Sequence, residues 1–183
     1  GDTSPQLGGD LDTNSHHILL DDDHYVKFGD SSDLTIRHSG GANTITTAAT
    51  QYLYIYSDNL RLNSTTGSEK YITGTVNGAV ELYHDNAKTA ETVANGFQIT
   101  ATENNHASLH LWADEGDDNA DKWQIMATTQ GQLRFYSKAS GSSENTIVAD
   151  GNGAVELYYD NSKKFETSSS GTVTEGDNST GSL

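Results

Sequence analysis

A twelve-residue segment of the chain occurs twice. Asn77-Gly-Ala-Val-Glu-Leu-Tyr-His-Asp-Asn-Ala-Lys88 returns as Asn152-Gly-Ala-Val-Glu-Leu-Tyr-Tyr-Asp-Asn-Ser-Lys163, an offset of 152 − 77 = 75 residues. The correspondence runs on from Glu91, Thr92 and Gly96 to Glu166, Thr167 and Gly171. Looser echoes set Leu34–Ser39 against Val80–Asp85, and Leu53–Ser57 against Leu133–Ser137. Self-similarity of this kind marks a serial or stacked architecture, in which each unit buries its apolar side against a neighbour.

The repeated unit reads as a β-hairpin. Val155, Leu157 and Tyr159 alternate with Glu156 and Tyr158, which gives one apolar face and one mixed face. Asp160-Asn161-Ser162 supplies a turn, because Asp and Asn tolerate left-handed backbone angles. Residues 163–167 form the return strand, and Gly171 opens the next one. An isolated hairpin is marginal in water, so this one needs a partner surface in the next repeat or in another chain.

Composition sharpens that requirement. Leu, Ile, Val and Phe make up about 18% of the chain, a fraction typical of disordered sequences. Yet there is one proline, there are nine Tyr and two Trp, and the apolar residues sit in short alternating runs. A thin core spread evenly along the chain fits a fibrous protein whose copies share their apolar surface. With no cysteine, a disulfide-stapled secreted domain is excluded. No apolar run nears the roughly 20 residues of a membrane-spanning helix. The net charge of -16, from 26 acidic and 10 basic residues, opposes nucleic acid and anionic lipid as partners. Gly1 in place of Met, with no secretory signal, is expected of a fragment or processed product.

Turn-forming residues recur every few positions, with Thr, Val, Ile and Tyr between them, and helix signals are weak. The spacing predicts strands at 17–20, 24–28, 33–38, 53–57, 60–63, 70–73, 78–83, 88–93 and 97–100. It predicts further strands at 108–113, 122–127, 132–137, 146–149, 154–159 and 163–167. By motif, the chain divides into an N-terminal β-repeat region (1–76), a first hairpin repeat (77–100), a Trp-containing hairpin block (101–151) and a second repeat with a tail (152–183).

The segment Asn152-Gly-Ala-Val-Glu-Leu-Tyr-Tyr-Asp-Asn-Ser-Lys-Lys-Phe-Glu-Thr167 resembles the repeat of tail-fibre and tail-associated structural proteins of marine bacteriophages, cyanophages included. Leu109 to Trp123 resembles another block of those fibres, and Pro5 to Asp12 resembles a segment that opens a fibre repeat. The resemblance implies an all-β, elongated homotrimeric fibre segment in the virion, with repeated hairpins that are intertwined or arranged as a β-prism or β-sandwich. It would lie between the particle and the host-contacting tip, or near that tip, beside neighbouring fibre or baseplate proteins. The resemblance implies no active site. The first copy departs from the second where His84, Ala87 and Ala90 stand against Tyr159, Ser162 and Phe165. Ala90 in place of Phe165 gives the first hairpin less apolar area to bury.

Few residues suggest chemistry. Asp117, Asn119 and Asp121 stand at i, i+2 and i+4, as in oxygen-rich calcium loops, but the Gly and distal Glu of a full loop are missing. The same carboxylates also suit a solvated hairpin tip between the strands carrying Trp112 and Trp123. Asp21, Asp22, Asp23 and His24 follow His16 and His17. His38, His84 and His110 are further candidates for an axial metal ion, where an imidazole meets its symmetry mates. Catalytic motifs are absent, so the chain is expected not to be an enzyme. Tyr52, Tyr54 and Tyr56 share one face of their predicted strand; they pack between subunits or, with Trp112, contact a host-surface glycan. Tyr54 and Trp112 are the receptor-contact candidates of that adhesin reading. A non-viral extracellular filament or adhesin is a further alternative. Asn63-Ser-Thr65 and Asn178-Ser-Thr180 fit the glycosylation pattern.

Overall fold

The computed structural model describes residues 7–175. Pro5 and Gln6 of the opening block, and the Asn178–Thr180 pattern, lie outside the described residues. The fold is all-β, with three antiparallel sheets, none of them closed. Two units divide the chain, one ending at Tyr56 and the other beginning at Ser57.

The first unit holds β1 (Tyr25–Phe28), β2 (Leu34–Ser39) and β3 (Ala42–Thr47), paired in that order. β2 and β3 are joined through Gly40 and Gly41, with φ of 54° and 85°. Two successive left-handed residues make the tight turn whose twist matches a hairpin, and glycine adopts it without strain. In the register, Val26, Ile36 and Ile45 lie side by side across the three strands.

The second unit carries the other two sheets. One is formed by β4 (Asn59–Asn63), β5 (Lys70–Thr75), β6 (Val80–His84), β7 (Ala87–Val93) and β8 (Gly96–Ile99). The other is formed by β9 (Ala107–Trp112), β10 (Lys122–Ala127), β11 (Gln132–Ser137), β12 (Glu144–Asp150), β13 (Val155–Tyr159), β14 (Ser162–Ser168) and β15 (Gly171–Thr174). In every sheet each strand pairs with its neighbours in sequence. Between β9 and β10 lie two single-turn 3-10 helices, Asp114–Gly116 and Asn119–Asp121.

The two copies of the repeat are the hairpins β6–β7 and β13–β14. Asp85 and Asn86 have φ of 50° and 60°, and Asp160 and Asn161 have φ of 51° and 56°. Each Asn does more than turn the chain. Asn86 Oδ1 accepts the Lys70 N–H at 2.9 Å, and Asn161 Oδ1 accepts the Asn145 N–H at 3.1 Å, so each turn pins the start of the strand that precedes its hairpin, β5 or β12. The repeated Thr has a matching task. Thr92 Oγ1 accepts the Val80 N–H and Thr167 Oγ1 accepts the Val155 N–H, both at 2.9 Å. The structure extends the repeat in both directions: Ile72 on β5 and Ile147 on β12 stand opposite Leu82 and Leu157.

Apolar rows cross the sheets. Leu62, Ile72, Leu82, Ala90 and Ile99 are aligned across β4–β8. Leu109, Ile125, Phe135, Ile147, Leu157 and Phe165 are aligned across β9–β14, ending at Thr174 on β15. The reduced area expected of the first copy is offset across the strand pair. Ala90 faces Ile99, whereas Phe165 faces Thr174, so small meets large in both hairpins with the sizes exchanged.

Two expected strands are not strands. Residues 17–20 form no ladder, although Ile18 and Leu20 line the same cleft as Val26, Ile36 and Ile45. Residues 53–57 alternate like a strand but pair with no described strand. β3 was not expected, because Ala42-Asn-Thr-Ile-Thr-Thr47 contains a single large apolar residue. Hydrogen bonding also groups the chain differently from the motif division. The cut at 76/77 falls inside the five-stranded sheet, between β5 and β6, and the cut at 151/152 falls inside the seven-stranded one, between β12 and β13.

Candidate functional site

The side chains on the seven-stranded sheet are distributed inversely to those of a globular protein. Along β13 the apolar Val155, Leu157 and Tyr159 are exposed, while Glu156 and Tyr158 are half-buried. Leu157 is 42% exposed and Tyr159 is 75% exposed. On the opposite face Val148 is 2% exposed, flanked in the ladder by Arg134 and Glu156. Long polar side chains close that face: Arg134 Nε donates to Gln132 Oε1 at 2.7 Å and Nη1 to the Tyr136 hydroxyl at 3.0 Å. The polar side is thus largely satisfied within the chain, Asn145 Oδ1 being a buried exception, while the apolar side ranges from half-buried to exposed.

Area supports the same conclusion. The chain exposes 14546 Å². A compact body of this mass would expose about 8,600 Å², and two compact bodies of the observed sizes about 10,000 Å². The excess is larger than the 14 residues outside the described range could add in any conformation, about 2,000 Å². Cross-strand pairs contribute only about 0.2–1 kcal/mol each, against about 1–2 kcal/mol per residue of backbone ordering. A one-layer sheet of this width needs its apolar face covered.

On the polar face each repeat carries a cluster of charges. Glu81 and Glu91 are direct cross-strand partners, as are Glu156 and Glu166. Two carboxylates in that position repel. A β-bulge at Thr89 solves this by turning Lys88 onto the same face, although residues three apart on a regular strand face opposite ways. Lys88 Nζ then reaches Glu91 at 2.7 Å and Glu81 at 3.4 Å. Lys163 bridges Glu156 and Glu166 in the same way, next to a bulge at Lys164. Glu81 also accepts hydrogen bonds from the hydroxyls of Thr73 and Tyr83, both at 2.7 Å.

Those two donors, Thr73 first, hold the Glu81 carboxyl well below its ordinary 4.5, at about 2, and Lys88 adds to the effect. The pKa is depressed in the folded state, so the stabilisation is present in full above pH 4.5 and is lost as pH falls from there towards 2. In the second copy Val148 stands where Thr73 stands in the first. Thr73→Val is therefore expected to move the Glu81 titration upward and to start acid loosening of β5–β7 at higher pH. Carbon-detected NMR titration of the Glu81 carboxyl checks this, and an unchanged midpoint would contradict it.

The acidic loop between β9 and β10 brings together Asp117, Asp118 and Asp121, with one oxygen from each lying within 4.8 Å of the others. Asp118 was not part of the expected i, i+2, i+4 set. The Asn119 amide nitrogen lies against Gly141. Gly116, at φ 69°, packs so closely on the Trp112 ring that a Cβ there would stand 3.0 Å from it. Trp112 shares the polar face with His110, their rings 6.3 Å apart and edge-on, while Trp123 lies beside Leu111 on the apolar face.

The histidines are distributed separately. His24 Nδ1 lies 3.1 Å from the Asp22 carbonyl, and His38 Nδ1 lies 3.0 Å from Asn43 Oδ1. His38 Nε2 is 3.8 Å from the Asp22 carboxylate. Among the described residues, no group of three His or carboxylate ligands forms around His24, His38, His84 or His110. Tyr54 sits in the middle of an exposed ladder, 5.9 Å from both Tyr52 and Tyr56 between ring centres. Asn63, at the end of β4, is exposed, and its Nδ2 donates to the Gly67 carbonyl.

Compared with protein-family models, curated proteins and solved structures, the chain matches none.

Proposed function

We propose that the chain is a structural segment of a viral tail fibre, assembled from three copies whose apolar sheet faces cover one another. The observation that carries this reading is the incompletely covered apolar row from Leu109 to Phe165, exposed at Leu109 and Leu157 and half-buried between, set on the back of a largely satisfied polar face. The surplus surface, about 2,500 Å² once two compact bodies and the residues outside the described range are allowed for, falls in the range of obligate interfaces. The likeness of residues 152–167 and 109–123 to marine phage fibre blocks supports the viral context and its neighbours, other fibre or baseplate proteins. The task is mechanical: a stiff spacer that holds a host-contacting element away from the particle, without catalysis. Trp112, on the polar face, stays outside the interface and is left for contact with a host glycan.

Sedimentation velocity tests the reading. At micromolar concentration the expected species is a trimer of the 19.6 kDa chain, and dilution is expected to dissociate and unfold it together. A folded monomer at that concentration would overturn it.

A further inference from the structure

Residues 52–56, Tyr-Leu-Tyr-Ile-Tyr, have the composition of a strong β-strand, and the structure leaves them unpaired. They make no backbone hydrogen bond with any described residue. Their form is nevertheless that of a strand. The rings of Tyr54 and Tyr56 stack at 12°, on the same side, at a spacing close to the rise of two strand residues. Tyr56 is 90% exposed and Ile55 is 67% exposed.

An unpaired apolar strand is a hazard that proteins blunt with charge, proline or a bulge. None of these is present. Residues 38–57 contain no Asp, Glu, Lys or Arg and form the longest uncharged run in the chain. The same run includes β3, whose outer edge is free because the sheet order is β1-β2-β3. In its own chain the segment is kept off that edge. The Ala48 N–H donates to the Asp33 carbonyl at 2.7 Å, and Gln51 Nε2 donates to Asp33 Oδ1, tying the start of the segment to the beginning of β2.

We infer that residues 52–56 of one copy add as a strand to the outer edge of β3 in a neighbouring copy. Charge selects the occupant. Copies with a net charge of -16 repel each other, and an uncharged strand meeting an uncharged edge is where that opposition is weakest. Pattern fits as well. Leu53 and Ile55 would continue the row Val26–Ile36–Ile45, and the tyrosine ladder would lie over Thr44 and Thr46. Each copy gives a strand and receives one, a head-to-tail contact that three copies close into a ring.

This inference rests on the self-assembly reading, and its test separates the two. Tyr54→Pro and Ile55→Pro each delete one backbone donor in a segment that makes no backbone bond within its own chain. Neighbouring amides point to opposite sides of a strand, so one of the two must break the ladder. The expected results are slow hydrogen exchange at 52–56 in the assembled wild type, and at least a tenfold rise in the half-assembly concentration for one proline variant. Tyr54→Phe, which keeps the donor, is expected to assemble as the wild type does. A wild-type trimer with fast exchange at 52–56, unaffected by either proline, would overturn the strand exchange and leave self-assembly standing. A monomeric wild type would overturn both.

Discussion

Leu157→Asp is expected to leave the chains unassembled. Leu157 lies within the seven-stranded sheet's apolar row, between Ile147 and Phe165, and is 42% exposed in the single chain. In a trimer that remaining surface is removed from water three times over. Losing it costs about 1 kcal/mol or more per copy, and burying a carboxylate with no partner costs several more. Across three copies the penalty is on the order of 10 kcal/mol, comparable to the stability of an entire domain. His110→Asp places the same charge on the polar face of the same sheet and is expected to change the dissociation constant less than tenfold. Sedimentation equilibrium on the two variants distinguishes the faces. Leu157→Asp chains that remain trimeric would show that this face is not the contact.

The second large effect is expected at Phe165. In its own row the ring stands opposite Thr174, while the first copy places Ala90 opposite Ile99. Ala90 is buried under that arrangement. Phe165→Ala alone sets two small residues face to face and leaves a gap worth about 2–4 kcal/mol in the assembled state. That corresponds to a fall in the melting temperature of about 5–15 °C. Adding Thr174→Ile rebuilds the pairing of the first copy and is expected to restore at least half of the loss. Thermal melts of the wild type, the two single variants and the double variant form a complete cycle. If the two changes simply add, the exchange of sizes between the copies carries no packing meaning.

The hairpins could be read from the sequence because three independent signals coincide there: alternation along the strand, an Asp-Asn turn, and a second copy of both. Where one signal stands alone, it does not decide the structure. Residues 17–20 are a short apolar run and 53–57 alternate, both without a partner, and pairing is a property of two segments that neither displays by itself. β3 had a partner and a Gly-Gly turn but almost no apolar pattern. The bulges at Thr89 and Lys164 were invisible, and with them the placement of Lys88 and Lys163 on the carboxylate face. A count of two along a regular strand assigns those lysines to the other side. The acidic loop was legible as a cluster, but its backbone, with Asp114 and Glu115 both at positive φ, brings Asp118 to Asp117 and Asp121 in a way that spacing does not foretell.

Strictly sequential pairing has a consequence for how such a chain can change over generations. Among the described residues, no strand is threaded between two others that are distant in the sequence. A hairpin can therefore be gained or lost at a turn without rerouting any other connection. Each such event widens or narrows a sheet by two strands, about 10 Å. In the proposed fibre, reach would then be set by copy number, adjustable in steps, while the side proposed to meet other subunits keeps its pattern.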